Sequence, residues 1–343
     1  MSDKTLAQEI IPPDEAICTR DLADRLQAKI IKDNPGGIMR RDAHPKMHGV
    51  VKAEFAIEPD LPADLQVGIF STPKTYQAWI RFSNQDGIMQ PDKVRDIRGM
   101  AIKLMGVPGD KLLTAARDAH TQDFILISTN VFVTKNVAEF DALIKAMTGN
   151  ILAKISFFAT RWRVIWNLLS SLKKFANPLQ MRYWSTTPYL FGDTAVKYSA
   201  IPHVVDADAI PNYPEPDYLR LAMMRQLAER EAHFDFCVQL QTDATSMPIE
   251  DSGKEWREAQ SPFRKVATIR ILQQQFDSEQ QSVFGENLSF TPWHSLPAHR
   301  PLGGINRARK IVYDVISAFR HERNHVIRRE PTSWDIDDID EKN

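Results

Sequence analysis

The chain has 343 residues, enough for one large domain or two modest ones. Hydrophobic residues make up 43% and charged residues 25%, and the net charge of −1 argues against a basic nucleic-acid binder or a specialist for acidic partners. Two cysteines, Cys18 and Cys237, exclude a framework of disulfides or thiolate-held zinc, as suits a reducing compartment. The N-terminus carries charges where a signal peptide needs an apolar core, and no apolar run reaches the roughly 18 residues of a spanning helix. The expectation is a cytoplasmic protein without internal repeats.

In chain order, residues 1–35 read as an N-terminal arm. Pro12 and Pro13 end a short segment, and Ile17, Leu22, Leu26 and Ile30 then recur at helical spacing up to the breaker Asn34-Pro35-Gly36-Gly37. From His48 the period changes. Residues 51–57, 76–83, 100–105 and 124–129 are short β-branched or aromatic stretches bounded by Pro, Gly, Asp or Asn, and so read as strands. A helical insertion over about 136–192 follows. Strands are expected again at 195–201, 234–241 and 264–273, with an eighth around 284–290. This pattern predicts an α+β fold: an antiparallel β-barrel of about eight strands, closed or nearly so, in a single domain over 36–330. Interior positions of such a barrel could wall one face of a cofactor. Residues 331–343 form an acidic tail, expected to be mobile.

Within the insertion, residues 151–175 mix Ile155, Phe158, Trp162, Ile165, Trp166 and Leu169 with Lys154, Arg161, Arg163, Lys173 and Lys174. A basic amphipathic stretch of this kind can lie on a membrane surface. The ordinary alternative, preferred on sequence grounds, is that its apolar face packs on the barrel or on a second copy of the chain.

The C-terminal stretch 301–323 opens with Gly303 and Gly304 and then runs from Asn306 to His321 without Pro or Gly. Asn306 is the expected N-cap. Arg309, Tyr313 and Arg320 are four and then seven residues apart, which places them on one helical face. The ordinary reading is a surface tyrosine among arginines. A sharper one is an iron-ligating phenolate, which needs a cation beside it because free tyrosine ionises only near pH 10. His321-Glu322-Arg323-Asn324-His325 also matches the H-E-x-x-H pattern of zinc peptidases, although the surrounding arginines make a poor setting for a divalent cation.

Four elements, in order, carry a resemblance: Arg41-Asp42-Ala43-His44-Pro45-Lys46, Ile80-Arg81-Phe82-Ser83-Asn84, Val94-Arg95-Asp96-Ile97-Arg98-Gly99-Met100-Ala101-Ile102-Lys103, and the Arg309, Tyr313, Arg320 helix. They resemble the Arg-x-x-His-Ala-Lys, Val-Arg-Phe-Ser, Val-Arg-Asp-Pro-Arg-Gly-Phe-Ala-Val-Lys and Arg-x-x-x-Tyr-x6-Arg elements of the catalase family. The resemblance implies haem b as cofactor, a peroxide as substrate and a proximal haem helix over about 305–323. It implies Tyr313 as the axial iron ligand, Arg309 as its neighbouring charge, and Arg41, Arg81 and Arg320 as partners of the haem propionates. His44 would be the distal acid and base, with Ser83 holding its tautomer; Arg95 and Arg98 would hold Asp96 and the local turn.

Two departures bear on the substrate. Ser128 stands where the family carries its distal asparagine, and Ala43 replaces the bulkier valine found beside the distal histidine in many catalases. The chain is also shorter than typical catalases. It resembles the compact catalase-related group, which includes peroxidases and allene oxide synthases. The resemblance therefore implies a peroxidase-like or catalase-like oxidoreductase inclined to organic or lipid hydroperoxides. The alternatives are a fatty-acid hydroperoxide rearranging enzyme and, in a different class, a haem-binding or lipid-surface protein with little turnover. Homo-oligomerisation stays open.

Overall fold

In the computed structural model, which describes residues 5–336, strand segments form where apolar side chains alternate. The barrel strands are β1 (Met47–Ile57), β2 (Thr75–Asn84), β3 (Arg98–Met105), β4 (Thr121–Ile127), β5 (Tyr183–Trp184), β7 (Thr194–Pro202), β8 (Ala232–Leu240) and β9 (Arg264–Ile271). They pair antiparallel in a closed ring, β1-β2-β3-β4-β5-β7-β8-β9 and back to β1. β6 (Tyr189–Phe191) adds a short hairpin to β7. The helices are α1 (Glu15–Asp33), α2 (Val137–Thr148), α3 (Ile151–Ala159), α4 (Trp162–Ser171), α5 (Tyr218–Glu229), α6 (Glu279–Asn287) and α7 (Gly304–Arg323).

Side-chain alternation gives each strand two functions. On β2, Tyr76, Ala78, Ile80 and Phe82 point into the barrel, and on β3 so do Met100, Ile102 and Leu104. The interior is packed with rings: Phe124 lies 4.8 Å from Phe236 and 5.0 Å from Tyr198, and Phe55 lies 5.0 Å from Phe236. Such pairs add about 0.5–1.5 kcal/mol each beyond their buried area. The barrel is thus a filled core, and the expectation that its interior walls a cofactor is corrected. Arg81, Ser83 and Gly99, at the alternate positions, face outward, Arg81 toward Gly285 of α6 and Ser83 and Gly99 toward His44.

Several further expectations change. The stretch 284–290 is not a strand. Ser278 caps α6 there by accepting the Gln281 amide, and Phe284 packs on Trp79. The remaining barrel strand is β5, whose two residues are too few to show a period. Helices of the insertion end at Ser171. α1 is no loose arm, since Leu22, Ala23 and Leu26 pack on Val312 of α7. Asn306 is not the N-cap: α7 starts at Gly304, and two distant carboxylates cap it, Glu9 Oε1 accepting the Gly303 amide and Glu250 Oε2 the Gly304 amide, each at 2.9 Å. Asn306 is buried inside the helix and donates to Pro188 O. The start of the acidic tail is anchored, with Trp334 Nε1 donating to Ala78 O; the part from 337 lies outside the described residues.

Arg307 locks α7 to the N-terminal segment. It bonds Glu15 at 2.6 and 2.7 Å, Glu9 at 2.6 Å and Glu250 at 2.9 and 3.0 Å. Burial alone would lower its pKa, but these carboxylates outweigh burial and raise it. Arg307→Ala leaves three partly buried carboxylates facing one another. It should cost about 3 kcal/mol of stability in urea unfolding and make α1 more susceptible to proteolysis.

Candidate functional site

His44 sits in the loop that enters β1, with its backbone in the left-handed region at φ 65°. A non-glycine residue there stores about 1–3 kcal/mol of strain, which the surroundings must hold. Three contacts do so. The His44 amide donates to Gln85 O at 3.0 Å, Arg81 Nη2 donates to His44 O at 3.0 Å, and the ring Nδ1 meets Ser83 Oγ at 2.9 Å. The imidazole lies against Gly99 of β3, where an added Cβ would come within 2.6 Å of Nδ1. Ser83 and Gly99 are direct partners in the β2–β3 ladder, so the sheet register itself builds the seat.

Around this histidine is an excess of positive charge. Arg41, Arg81 and Arg320 converge on one carboxylate, Glu286 of α6, at 3.0, 3.7 and 2.8 Å. Backbone carbonyls hold their remaining donors: Leu288 O for Arg41, Gly285 O for Arg81, and Met39 O for Arg320. Arg41 Nη1 is buried and makes no hydrogen bond, despite its proximity to Glu286. Burial pushes the Glu286 carboxyl up, but Arg41, Arg81, Arg320 and Arg40 together bring it below its usual value. His44 is pushed down to about 3, first by burial and then by the fields of Arg81, Arg41 and Arg309. It keeps partial access to solvent and is a neutral imidazole at physiological pH. With Nδ1 engaged by Ser83, Nε2 is the nitrogen left to exchange a proton.

On α7, Arg309 donates to Thr187 Oγ1 at 3.2 Å and Asn306 Oδ1 at 3.3 Å, and lies over the Phe132 ring, rather than bonding to Tyr313. Tyr313 is half-buried and packs on the cluster of Leu22, Ala23, Leu26 and Val312. Near it, the buried Tyr189 phenol is pushed up to about 12 by burial, against the opposing field of Arg309. Ser128, just past β4, is buried, and its Oγ accepts the Arg98 amide at 2.8 Å.

The structure thus gathers His44, Ser83, Arg41, Arg81 and Arg320 into one cluster, with Arg309 near enough to act on His44 through space. Arg98 donates to Asn84 Oδ1, Asp92 O and Val94 O and lies 3.3 Å from Asp96, as a turn-holding residue should. Arg95 is exposed. Sequence reasoning missed Glu286, which lay in a stretch read as a strand. It also missed the reason for Gly99, although that glycine sits within the Val94–Lys103 element. The zinc reading fails: α7 ends at Arg323, His325 lies beyond it, and both His321 ring nitrogens face backbone carbonyls. No group of three or more His, Cys, Asp or Glu side chains is placed to hold a metal among the described residues.

Among solved structures, a fungal catalase superposes with a TM-score of 0.66 at 18% identity, covering 93% of this chain and 66% of its own. Catalase A from Saccharomyces cerevisiae gives 0.64 at 19% identity, covering 94% of this chain and 68% of its own. The fold is that of the catalases. A bacterial catalase agrees, with a TM-score of 0.63 at 15% identity, covering 91% of this chain and 64% of its own. The chain spans about two thirds of the length of these catalases. No protein-family model and no curated protein sequence matches it. The catalase fold accounts for both the closed eight-stranded barrel and the helical elements around it.

The buried histidines predict an acid-sensitive fold. His44, His48 and His299 are held at about 3, 4 and 3, chiefly by burial. Between those values and the ordinary 6.5, the unfolded chain binds protons that the native state does not. The histidine contribution to stability should therefore rise with pH through this window and fall as acid is added, outweighing the buried Asp123 carboxyl that burial pushes up to about 7. Urea unfolding from pH 4 to 8 checks the sign of the slope.

Proposed function

We propose that this protein binds haem b and uses it to act on a peroxide, as a catalase-like or peroxidase-like oxidoreductase. The observation that carries this reading is the cluster on the outer barrel wall. A neutral, strained histidine seated on Gly99 and bonded to Ser83 stands among three guanidiniums, two of them buried and that of Arg41 partly so, that share a single carboxylate. Three cations against one anion, with Arg41 Nη1 lacking a hydrogen bond, suit a ligand bringing two more carboxylates, and the haem propionates are such a pair. The residues present fit the cofactor.

Arg41, Arg81 and Arg320 would hold the propionates, and Tyr313 would ligate the iron, with Arg309 one turn before it on α7 as the balancing charge. Bound haem supplies the iron chemistry that cleaves the peroxide O–O bond. His44 Nε2 would take the proton from one peroxide oxygen and deliver it to the departing one, while Ser83 keeps the ring in the tautomer that allows this. Two features favour an organic hydroperoxide over fast hydrogen peroxide dismutation. Ser128 Oγ is held by the Arg98 amide and reaches less far than an asparagine amide, so its one O–H orients a second peroxide poorly. Ala43 is small and exposed beside His44, which leaves room for a substituted peroxide.

An absorption spectrum of haem-loaded protein and its Tyr313→Phe variant tests the ligand. The variant should lose haem or change its ferric spectrum, and an unaltered spectrum at full haem content would overturn the assignment. His44→Ala should keep haem and lose about 10²–10⁴-fold in peroxide turnover. Gly99→Ala should do nearly the same by displacing the ring. Undiminished turnover in His44→Ala means that another group moves the proton.

Comparing kcat/KM for hydrogen peroxide, an alkyl hydroperoxide and a fatty-acid hydroperoxide, with product analysis, separates peroxidase from rearrangement chemistry. A large excess for hydrogen peroxide with vigorous oxygen release would refute the organic preference. Ser128→Asn should raise oxygen evolution.

A further inference from the structure

The helix pair α3–α4 packs Phe157, Phe158, Val164 and Leu168 inward yet turns a second apolar set to solvent. Along α4, the buried residues are Val164, Asn167 and Ser171, and two of the three are polar. Asn167 Nδ2 donates to Phe132 O, Val133 O and Gly253 O, and Ser171 bonds Asn167 O and Thr129 Oγ1. The opposite face carries Trp162, Trp166 and Leu169 at i, i+4 and i+7, and they are 75%, 68% and 63% exposed. α3 continues the surface with exposed Ile151, Leu152 and Ile155. Of the apolar set expected to pack on the barrel or on a second copy, Phe158 packs inward with Phe157, Val164, Leu168 and Leu172 beside Ile127 of β4, while Ile155, Trp162, Trp166 and Leu169 face outward. A soluble helix normally directs its tryptophans inward, so a contiguous outward set marks an interaction surface.

Charge identifies the partner. Between Asp141 and Asp193 the chain has seven Lys and Arg residues and no Asp or Glu, although the whole chain has a net charge of −1. Four of the cations, Lys154, Arg161, Lys173 and Lys174, make no ion pair with an acidic side chain of the described residues. Lys173 and Lys174 are exposed just beyond the end of α4. A symmetric contact between two copies would set this basic surface against itself, which electrostatics opposes. Tryptophan and aliphatic side chains rimmed by unpaired cations are instead the chemistry that recognises an anionic lipid surface. No helix among the described residues is long and apolar enough to cross a membrane, so the face would lie on a bilayer.

We propose that the α3–α4 face docks this protein onto anionic lipid bilayers, with Trp162, Trp166 and Leu169 entering the interfacial layer and Lys154, Arg161, Lys173 and Lys174 meeting the headgroups. The same surface is stitched to the candidate site. Ser171 Oγ lies 2.9 Å from Thr129 Oγ1, next to Ser128, and the Asp96 amide donates to Lys173 O at the entry to β3, which seats His44. These contacts tie the docking face to the strand ends that flank the candidate site. The proposal stands on exposure and charge, independently of the haem reading.

The test is co-sedimentation of the full chain with vesicles of phosphatidylcholine alone and of an equal mixture of phosphatidylcholine and phosphatidylglycerol, with tryptophan emission recorded. Trp162 and Trp166 are the exposed tryptophans of the described residues, so their burial in lipid should give a blue shift. Binding should favour the anionic vesicles and weaken with salt. W162S/W166S should lose about tenfold or more in partitioning. K173E/K174E should lose about tenfold on anionic vesicles and little on neutral ones. Matching circular dichroism melts show that the variants remain folded. Absence of binding to either vesicle, or equal binding by W162S/W166S, overturns the proposal. A dimer in sedimentation velocity that W162S/W166S abolishes, without vesicle binding, overturns it in favour of a second copy on this face.

Discussion

The rest of the structure depends on the two-residue alternation of strands that close into a small barrel. Once β1 to β5 and β7 to β9 form a ring, half of each strand must fill the interior, which aromatic and aliphatic side chains pack together. The other half can work only on the outer wall. Arg81, Ser83 and Gly99 are outward positions of two adjacent strands, and their register places a guanidinium, a hydroxyl and a bare backbone patch side by side. A one-residue slip would turn all three into the core and push Phe82 and Met100 out. The rigidity of the filled barrel lets the site hold a histidine in a strained backbone conformation.

Against that wall, the helices supply charge of both signs, separated in space. At the C-terminal part of α7, Arg320 joins Arg41 and Arg81 around the single carboxylate of Glu286, leaving positive charge in excess. At its N-terminal end the balance reverses, with Glu9, Glu15 and Glu250 surrounding Arg307. The second cluster closes on itself: its carboxylates also receive the Gly303 and Gly304 amides, so the helix start is satisfied without a local cap. The first cluster keeps more cations than anions and leaves Arg41 Nη1 without a hydrogen bond. One end of the helix is a structural lock, and the other is chemically suited to a ligand.

The network behind His44 shows how buried polar groups can position without taking part. His48 Nε2 and Arg98 Nη1 both donate to Asn84 Oδ1 at 2.6 Å, and Asp92 is bound by Lys46 at 2.7 Å. These contacts tie the start of β1 to the end of β2 and to the Val94–Arg98 turn. They fix His48 through Nε2 inside the network, whereas His44 keeps partial access to solvent.

The local sequence determined much of this protein. The resemblance to catalase elements named Arg41, His44, Arg81, Ser83, Arg309 and Arg320, which meet at or near one site, while β-branched and aromatic runs marked seven of the eight barrel strands and helical spacing marked α1 and α7. These are short-range signals, set by the period of a strand or helix, and they survive in any packing. Tertiary structure alone decided what depends on partners distant in the chain. β5 has two residues and exists because β4 and β7 flank it. Glu286 matters because three arginines from separate segments surround it, and the cap of α7 comes from carboxylates remote in sequence. The direction of α4 was beyond periodicity too. A moment gives the axis of an amphipathic helix but not which side faces the protein, and Asn167 and Ser171 face inward only because Phe132, Val133 and Gly253 present carbonyls there.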